Sequence, residues 1–448
     1  MINFGKQILV ILSRFGLKKF YFLICLFVIL PIIELLGITS ILGFIKVLLG
    51  DESGFSSFKA FKFFEFETQN KTLIFLGLIV FLIIVFRNLL VIFIFWFKIN
   101  YFAHLGYFLA GELLKNYFKQ DYNFFLKHNS SVLVKNIAEE TYLFANGLVS
   151  SMVQIISSLI VSISLLSFVL YYNFLVSIIV ISIVGGFYLI YFLITKSKIL
   201  RLGHEKLKLK NDLYQTVSQS LQGIKEIKIF NLEKIFLNIT GKIFRASANN
   251  LVKKNVITLL PRHIIEIIVF FAILLGATYN VSQGFSINKI IEVLSVYILV
   301  GYRTIPYVEN LFQSLAKIKF SLPTVNLVKH QLELQAKFDY KYKELKKDKL
   351  EFKDKIQLDN VNFSYNKNEE VILKKINLSI NKNNLVAIVG KTGSGKTTLL
   401  NILLGMLKLT EGNLLIDGKE INNLNLKLWQ NNLGFVPQDV YLFESSIY

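Results

Sequence analysis

The chain has 448 residues, 53% of them hydrophobic, with a mean hydropathy of +0.52 and a formal net charge of +20. That apolar content excludes an ordinary soluble protein, and the length allows two or three domains. A basic balance suits nucleic acid or an anionic membrane surface; the hydropathy selects the membrane, and no nucleic-acid partner is expected.

Residues 1–19 carry Lys6, Arg14, Lys18 and Lys19 and no acid, and residues 20–49 follow as a long apolar run. About 20 residues cross a bilayer, so this run predicts a first span with an extension. The basic residues ahead of it predict a cytoplasmic N-terminus. Residues 51–71 predict an outer loop. Phe55, Phe58, Phe61 and Phe64 recur there at helical spacing, which suits an amphipathic helix on the outer leaflet or a packed cap on the bundle. Residues 72–97 predict the second span, with Arg87 inside it. Residues 98–146 turn polar, as helices do when they continue into the cytoplasm.

No charged residue occurs from 147 to 195. As one helix this stretch would exceed about 70 Å at ~1.5 Å per residue, over twice a ~30 Å hydrocarbon core. It therefore predicts two spans, 147–171 and 174–195, with a turn at Tyr171-Tyr172-Asn173. Residues 196–254 are lysine-rich, which places them inside. Spans 256–283 and 290–315 bring the number to six and return the chain to the cytoplasm. Residues 1–328 thus read as a transmembrane domain, 329–355 as a charged linker, and 356–448 as a second domain.

Gly390-Lys391-Thr392-Gly393-Ser394-Gly395-Lys396-Thr397 fits G-x-x-x-x-G-K-[ST], the P-loop. Its glycines let backbone N–H groups turn toward phosphates. Lys396 is placed for the β- and γ-phosphates, Thr397 for Mg²⁺, and the helix from Thr398 to Leu407 aims its positive end at the same anion. Leu385-Val386-Ala387-Ile388-Val389 predicts a buried parallel strand ahead of the loop. ATP is the expected ligand of Gly390 to Thr398. Residues 356–365 alternate as a strand, 372–380 and 412–418 predict further strands, and 426–431 a short helix.

The order of F-S-Y at Tyr365, the P-loop, the G-x-[LI]-x-[IL]-D-G turn at 412–418, and V-P-Q-D-V-Y-L-F around Gln438 resembles an ABC transporter. Six spans ahead of one nucleotide domain resemble an exporter-type half-transporter. Y-R-T-I-P at 302–306 and P-R-H-I-I-E at 261–266 look most like PglK-type flippases of lipid-linked oligosaccharides. The resemblance implies a membrane α-helical fold with six spans and a partial α/β P-loop domain, working as a homodimer or with a second half-transporter in the cytoplasmic (inner) membrane. It implies that Tyr365 stacks on adenine and that Gln438 meets Mg²⁺ or the attacking water and has a catalytic role. Two stretches, about 121–131 and 219–230, look like coupling helices. The signature loop, the Walker B aspartate, the glutamate beside it and the switch histidine do not occur before Tyr448. The chain is therefore expected to be a fragment carrying half of each composite ATP site, or else a natural truncation inactive alone.

Arg87, Arg262 and Arg303 lie in or near the expected spans. Charge inside a membrane usually faces a cavity or a partner, and arginine contacts phosphate in a planar, bidentate fashion. The three are candidates to bind a pyrophosphate of a lipid or lipid-linked substrate. The alternative is structural: Glu266 lies four residues after Arg262, and Glu34 or Glu309 are available to Arg87 and Arg303. Other expected readings are a multidrug, peptide or lipid A-type exporter, and an ATP-binding membrane protein that does not hydrolyse.

Overall fold

The computed structural model describes residues 15–48, 69–172, 174–282, 287–333, 349–365, 370–422 and 424–438. The chain divides into two compact units, one of residues 1–113 and 131–333, the other of residues 114–130 and 334–448.

The first unit is helical. Its long elements are α1 (Leu17–Leu48) and α2 (Gln69–Phe118). A short α4 (Ser130–Lys135) then leads through two π-helical turns, Asn136–Glu140 and Phe144–Val149, into α5 (Ser150–Tyr172). The rest are α6 (Phe174–Gln222), short α7 (Ile224–Ile229), α8 (Glu233–Ser282) and α9 (Ile287–Leu332). Among the described residues, five helical stretches are long and apolar enough to cross a membrane; α9 is not among them. Phe81, Leu82, Phe86 and Leu89 of α2 stay exposed, as expected of a helix whose outer face meets lipid. Inward, Leu23 and Phe27 of α1, Phe102 and Leu105 of α2, Leu165 of α5 and Val325 of α9 join one core.

The break near residue 172 follows the expected turn: α5 ends at Tyr172 and α6 begins at Phe174. The helices run far past the expected apolar limits, because nothing ends them there: α2 and α6 carry no proline, and polar residues at helical spacing continue them. The expected linker begins later than 329, since α9 extends to Leu332; most of its remainder lies outside the described residues. So do the phenylalanines at 55–64.

The second unit holds a four-stranded sheet: β1 (Lys355–Phe363), β2 (Leu373–Asn381), β3 (Glu411–Ile416) and β4 (Lys419–Glu420). Spatial order is β2-β1-β3-β4, and every neighbouring pair is antiparallel. Alternation buries Leu358, Val361 and Phe363 of β1 with Leu414 and Ile416 of β3. Helix α10 (Lys396–Leu403) adds Ile402 and α11 (Leu426–Gln430) adds Trp429. The Trp429 indole N–H donates to Leu403 O at 2.9 Å, fixing α11 to α10. Short α3 (Tyr122–Lys127) belongs to this unit and is capped by Asp121, which accepts from Phe124 N–H.

The expected strand at 385–389 is corrected. These residues are irregular, and Leu385 and Val389 are almost wholly exposed. A buried parallel strand needs a ladder partner on each side. Among the described residues no strand pairs with this run, and Leu385 and Val389 are left without packing.

Candidate functional site

The P-loop connects that irregular run to α10. Gly393 and Gly395 adopt φ of 86° and 85°, a left-handed conformation that side-chain-bearing residues rarely take. A Cβ on Gly390 would lie 2.7 Å from Ser394 Oγ, and one on Gly395 would lie 2.9 Å from Leu373 Cδ2. A side chain at either position would make Ser394 or Leu373 shift, and the positive φ of Gly393 and Gly395 would strain one there whatever the space. The Lys396 ammonium donates to Gly390 O and to Lys391 O, each at 2.8 Å, which keeps the positive charge beside the loop backbone.

The first turn of α10 closes through Leu399 N–H to Gly395 O at 2.8 Å. Backbone N–H groups ahead of it have no intrahelical acceptor and point out of the helix start. Thr397 is exposed there, whereas Thr398 is buried. A glycine cradle, outward N–H groups, the positive helix end and an ammonium fit the phosphates of a nucleotide. Lys391, Thr392 and Ser394 are exposed along the same loop.

Tyr365 is brought to this site by β1. Its hydroxyl lies 3.2 Å from Thr398 Oγ1, and its ring meets Phe363 edge-on at 5.0 Å between centroids. Its carbonyl accepts from Asn123 Nδ2 of α3 at 3.5 Å. The stretch expected to couple at 121–131 therefore touches the segment that carries the aromatic residue. In the other such stretch, α7 buries Ile227 and exposes Ile224 and Ile229. Gln438 is exposed, and among the described residues no hydrogen bond joins it to the P-loop.

One residue escaped the sequence reading. The Asp417 carboxylate accepts from three successive backbone N–H groups, those of Lys353, Asp354 and Lys355. These bonds, that of Lys353 foremost, hold its carboxyl below the usual carboxylate range. The aspartate of the D-G turn thereby anchors the start of β1. Its positive φ of 48° is the conformation that Asp tolerates in tight turns, a signal that only the turn motif offered.

In the helical unit each candidate arginine meets glutamate. Glu34 of α1 is 2% exposed. It accepts from Arg87 Nε at 2.9 Å and from Tyr307 Oη at 2.7 Å, and Arg303 Nη1 lies 3.8 Å away. Arg262 pairs with Glu266 at 3.0 Å and with Glu309 at 3.2 Å. The pairing alternatives thus describe all three, with Glu34 rather than Glu309 serving Arg303.

Residues 20–301 match the family profile of the ABC transporter transmembrane region, and residues 373–447 match the ABC transporter nucleotide-binding profile. The chain belongs to the ABC transporter family. It is 30% identical to the subtilin transport ATP-binding protein SpaT of Bacillus subtilis over 50% of this chain and 36% of that protein. It is 44% identical to a putative multidrug export ATP-binding/permease protein of Staphylococcus aureus over 21% of this chain and 16% of that protein. The matched stretches thus cover well under two thirds of these relatives. The P-loop cradle of this ABC transporter chain lies within the second profile, and Arg87, Arg262 and Glu34 lie within the first.

Proposed function

We propose that the whole protein is an ATP-hydrolysing exporter that moves an amphipathic molecule across the cytoplasmic membrane. The observation that carries this reading is the P-loop cradle, with Lys396 held beside it, in one chain with a bundle of long apolar helices. ATP would lie along Gly390 to Thr398, with its base against Tyr365. Mg²⁺ would be held by Thr397, and Gln438 would report the state of the γ-phosphate. The helical unit would cross the membrane six times, with the N-terminus and the nucleotide domain inside, the side that the lysine-rich stretch 196–254 favours. A second copy or another half-transporter would complete each ATP site.

The preferred cargo is a lipid-linked oligosaccharide, on the resemblance of 261–266 and 302–306 to PglK-type flippases. Pairing with Glu34 balances one of the two charges of Arg87 and Arg303, and the remaining positive charge suits a diphosphate. A peptide or multidrug cargo is the second reading, favoured by the identity to SpaT and to the multidrug export protein. The test reconstitutes the full-length protein in liposomes with fluorescent polyprenyl-diphosphate glycan, a lantibiotic-type peptide or a hydrophobic dye. ATP-dependent movement of the glycan lipid alone, abolished by Lys396→Met, supports the first reading. Movement of peptide or dye alone supports the second, and no ATP-dependent movement of any cargo sinks both.

A further inference from the structure

Two lysines from two helices flank one aromatic ring in the helical unit, and two more, from α2 and α9, extend the group. Lys206 of α6 and Lys254 of α8 place their ammonium groups 5.3 and 5.9 Å from the ring centre of Phe320 on α9. Lys317, one turn earlier on α9, lies close enough to Lys254 and to Lys98 of α2 for their like charges to repel. Lys98 donates to Gln154 Oε1 of α5 at 2.6 Å. Phe320 is buried, and Lys98, Lys206 and Lys254 are half-buried. Among the described residues, no carboxylate lies within ion-pair distance of any of the four. The two acids whose charge reaches Lys206 are engaged elsewhere: Glu139 with Lys210 and Tyr214, and Glu140 with Lys135.

Crowding like charges without counter-charge costs stability. Exposed lysines, Lys317 among them, ease that cost by splaying into water, but Lys98, Lys206 and Lys254 are half-buried, with their stems packed among helices. The Phe320 ring offsets part of the cost, since a cation near an aromatic face is attracted to it. An arrangement that keeps four ammonium groups near one another with no carboxylate in ion-pair distance is suited to a multivalent anion, which would satisfy several at once. Lys98, Lys254 and Lys317 adjoin the ends of the apolar runs 72–97, 256–283 and 290–315, which puts them at headgroup depth.

We infer that Lys98, Lys206, Lys254 and Lys317 form an anion-binding site for the phosphate or diphosphate headgroup of an amphipathic molecule entering from the cytoplasmic side. This site is separate from the arginines paired with Glu34 and Glu309. Its place on the transport path rests on the exporter reading above; its binding of a phosphorylated headgroup does not.

The test measures binding by the full chain in nanodiscs of phosphatidylcholine, without ATP, so that a failure of transport cannot mimic a failure of the site. Three probes are used: polyprenyl diphosphate in the disc, phosphatidylglycerol in the disc, and inorganic pyrophosphate in solution. The variant K98Q/K254Q/K317Q is compared with K225Q/K234Q/K242Q, which removes the same charge from exposed lysines. The expected result is a roughly tenfold or greater weakening of polyprenyl diphosphate binding in the first variant only, with less salt dependence, since each phosphate contact contributes a charge-assisted bond. Relief of repulsion should leave that variant at least as heat-stable as the parent, and K98R/K254R/K317R should retain binding. Competition by pyrophosphate supports recognition of the diphosphate itself. Equal binding of phosphatidylglycerol assigns the site to bilayer lipid and overturns its role as a cargo site. Equal weakening in both triple variants, or none in either, overturns the site.

Discussion

The hydroxyl of Tyr365 lies 3.2 Å from the hydroxyl of Thr398, one position past the P-loop threonine. An aromatic residue two positions past the end of β1 is thereby tied to the helix that would carry the phosphates. Two roles of Tyr365 separate by substitution. Tyr365→Phe keeps the ring and removes the bond, so ATP affinity should change less than about threefold, while stability falls by about 1 kcal/mol. Tyr365→Ala removes the ring; base stacking is worth about 1–3 kcal/mol, so affinity should drop about tenfold or more. Fluorescent-nucleotide titration and chemical unfolding of the full chain read the two effects. Equal ATP affinity in the Phe and Ala variants would remove Tyr365 from the base site.

Glu34 gathers Arg87, Arg303 and Tyr307 onto one buried carboxylate. Removing a buried ionic partner leaves uncompensated charge and typically costs about 3–5 kcal/mol. Glu34→Ala should therefore lower the unfolding temperature in detergent sharply. Adding Arg87→Met and Arg303→Met to it should recover much of the loss, because no unpaired charge then remains. If Glu34→Ala melts with the parent, the cluster does not hold α1, α2 and α9 together.

What the sequence made legible was local. The P-loop is a run of eight residues whose glycines and lysine act on each other, so its spacing pointed to the tight turns and to a helix after them, although α10 begins at Lys396 and ends at Leu403 rather than running from Thr398 to Leu407. The break between α5 and α6 was equally local, since an uncharged run too long for one span must turn. Features that depend on distant partners were not legible. The run 385–389 has strand composition, yet composition cannot supply a ladder neighbour. Asp417 receives its bonds from residues 62 to 64 positions away. Arg303 sits on α9 and Glu34 on α1, so sequence could offer two glutamates as partners but could not choose between them. The lysine cluster draws on four helices, none of which shows it alone.

Asp417 links nucleotide-domain stability to pH. Hydrogen bonds from Lys353, Asp354 and Lys355 favour its ionised form and depress its folded-state pKa. A depressed carboxyl contributes stability that is present above its unfolded value of about 3.9 and is lost as pH falls through the folded value. Asp417→Asn should destabilise the sheet at neutral pH and flatten the acid limb of its unfolding curve. Urea unfolding of the full chain between pH 7 and pH 3, followed by Trp429 fluorescence in a Trp96→Phe background, measures this. An acid limb of unchanged steepness in the Asn variant would show that other carboxylates govern acid unfolding.

Gly203 of α6 marks a close approach of α6 to α9. A Cβ there would lie 2.3 Å from Phe320 O and 3.0 Å from Phe320 C. The obstacle is helical backbone, which cannot rotate aside as a side chain would. Forcing an extra methyl into such a contact typically costs about 1–3 kcal/mol. Gly241 of α8 provides the contrast, because nothing lies within 4 Å of the Cβ it would carry. Alanine is a better helix former than glycine by about 0.5–1 kcal/mol. Gly241→Ala should therefore raise the melting temperature in detergent and Gly203→Ala should lower it. The opposite signs distinguish close packing from propensity, since propensity alone predicts a rise for both. Because the Phe320 ring meets the ammonium groups of both Lys206 and Lys254, Gly203→Ala should also weaken anion binding at the lysine cluster, an effect that Gly241→Ala should lack.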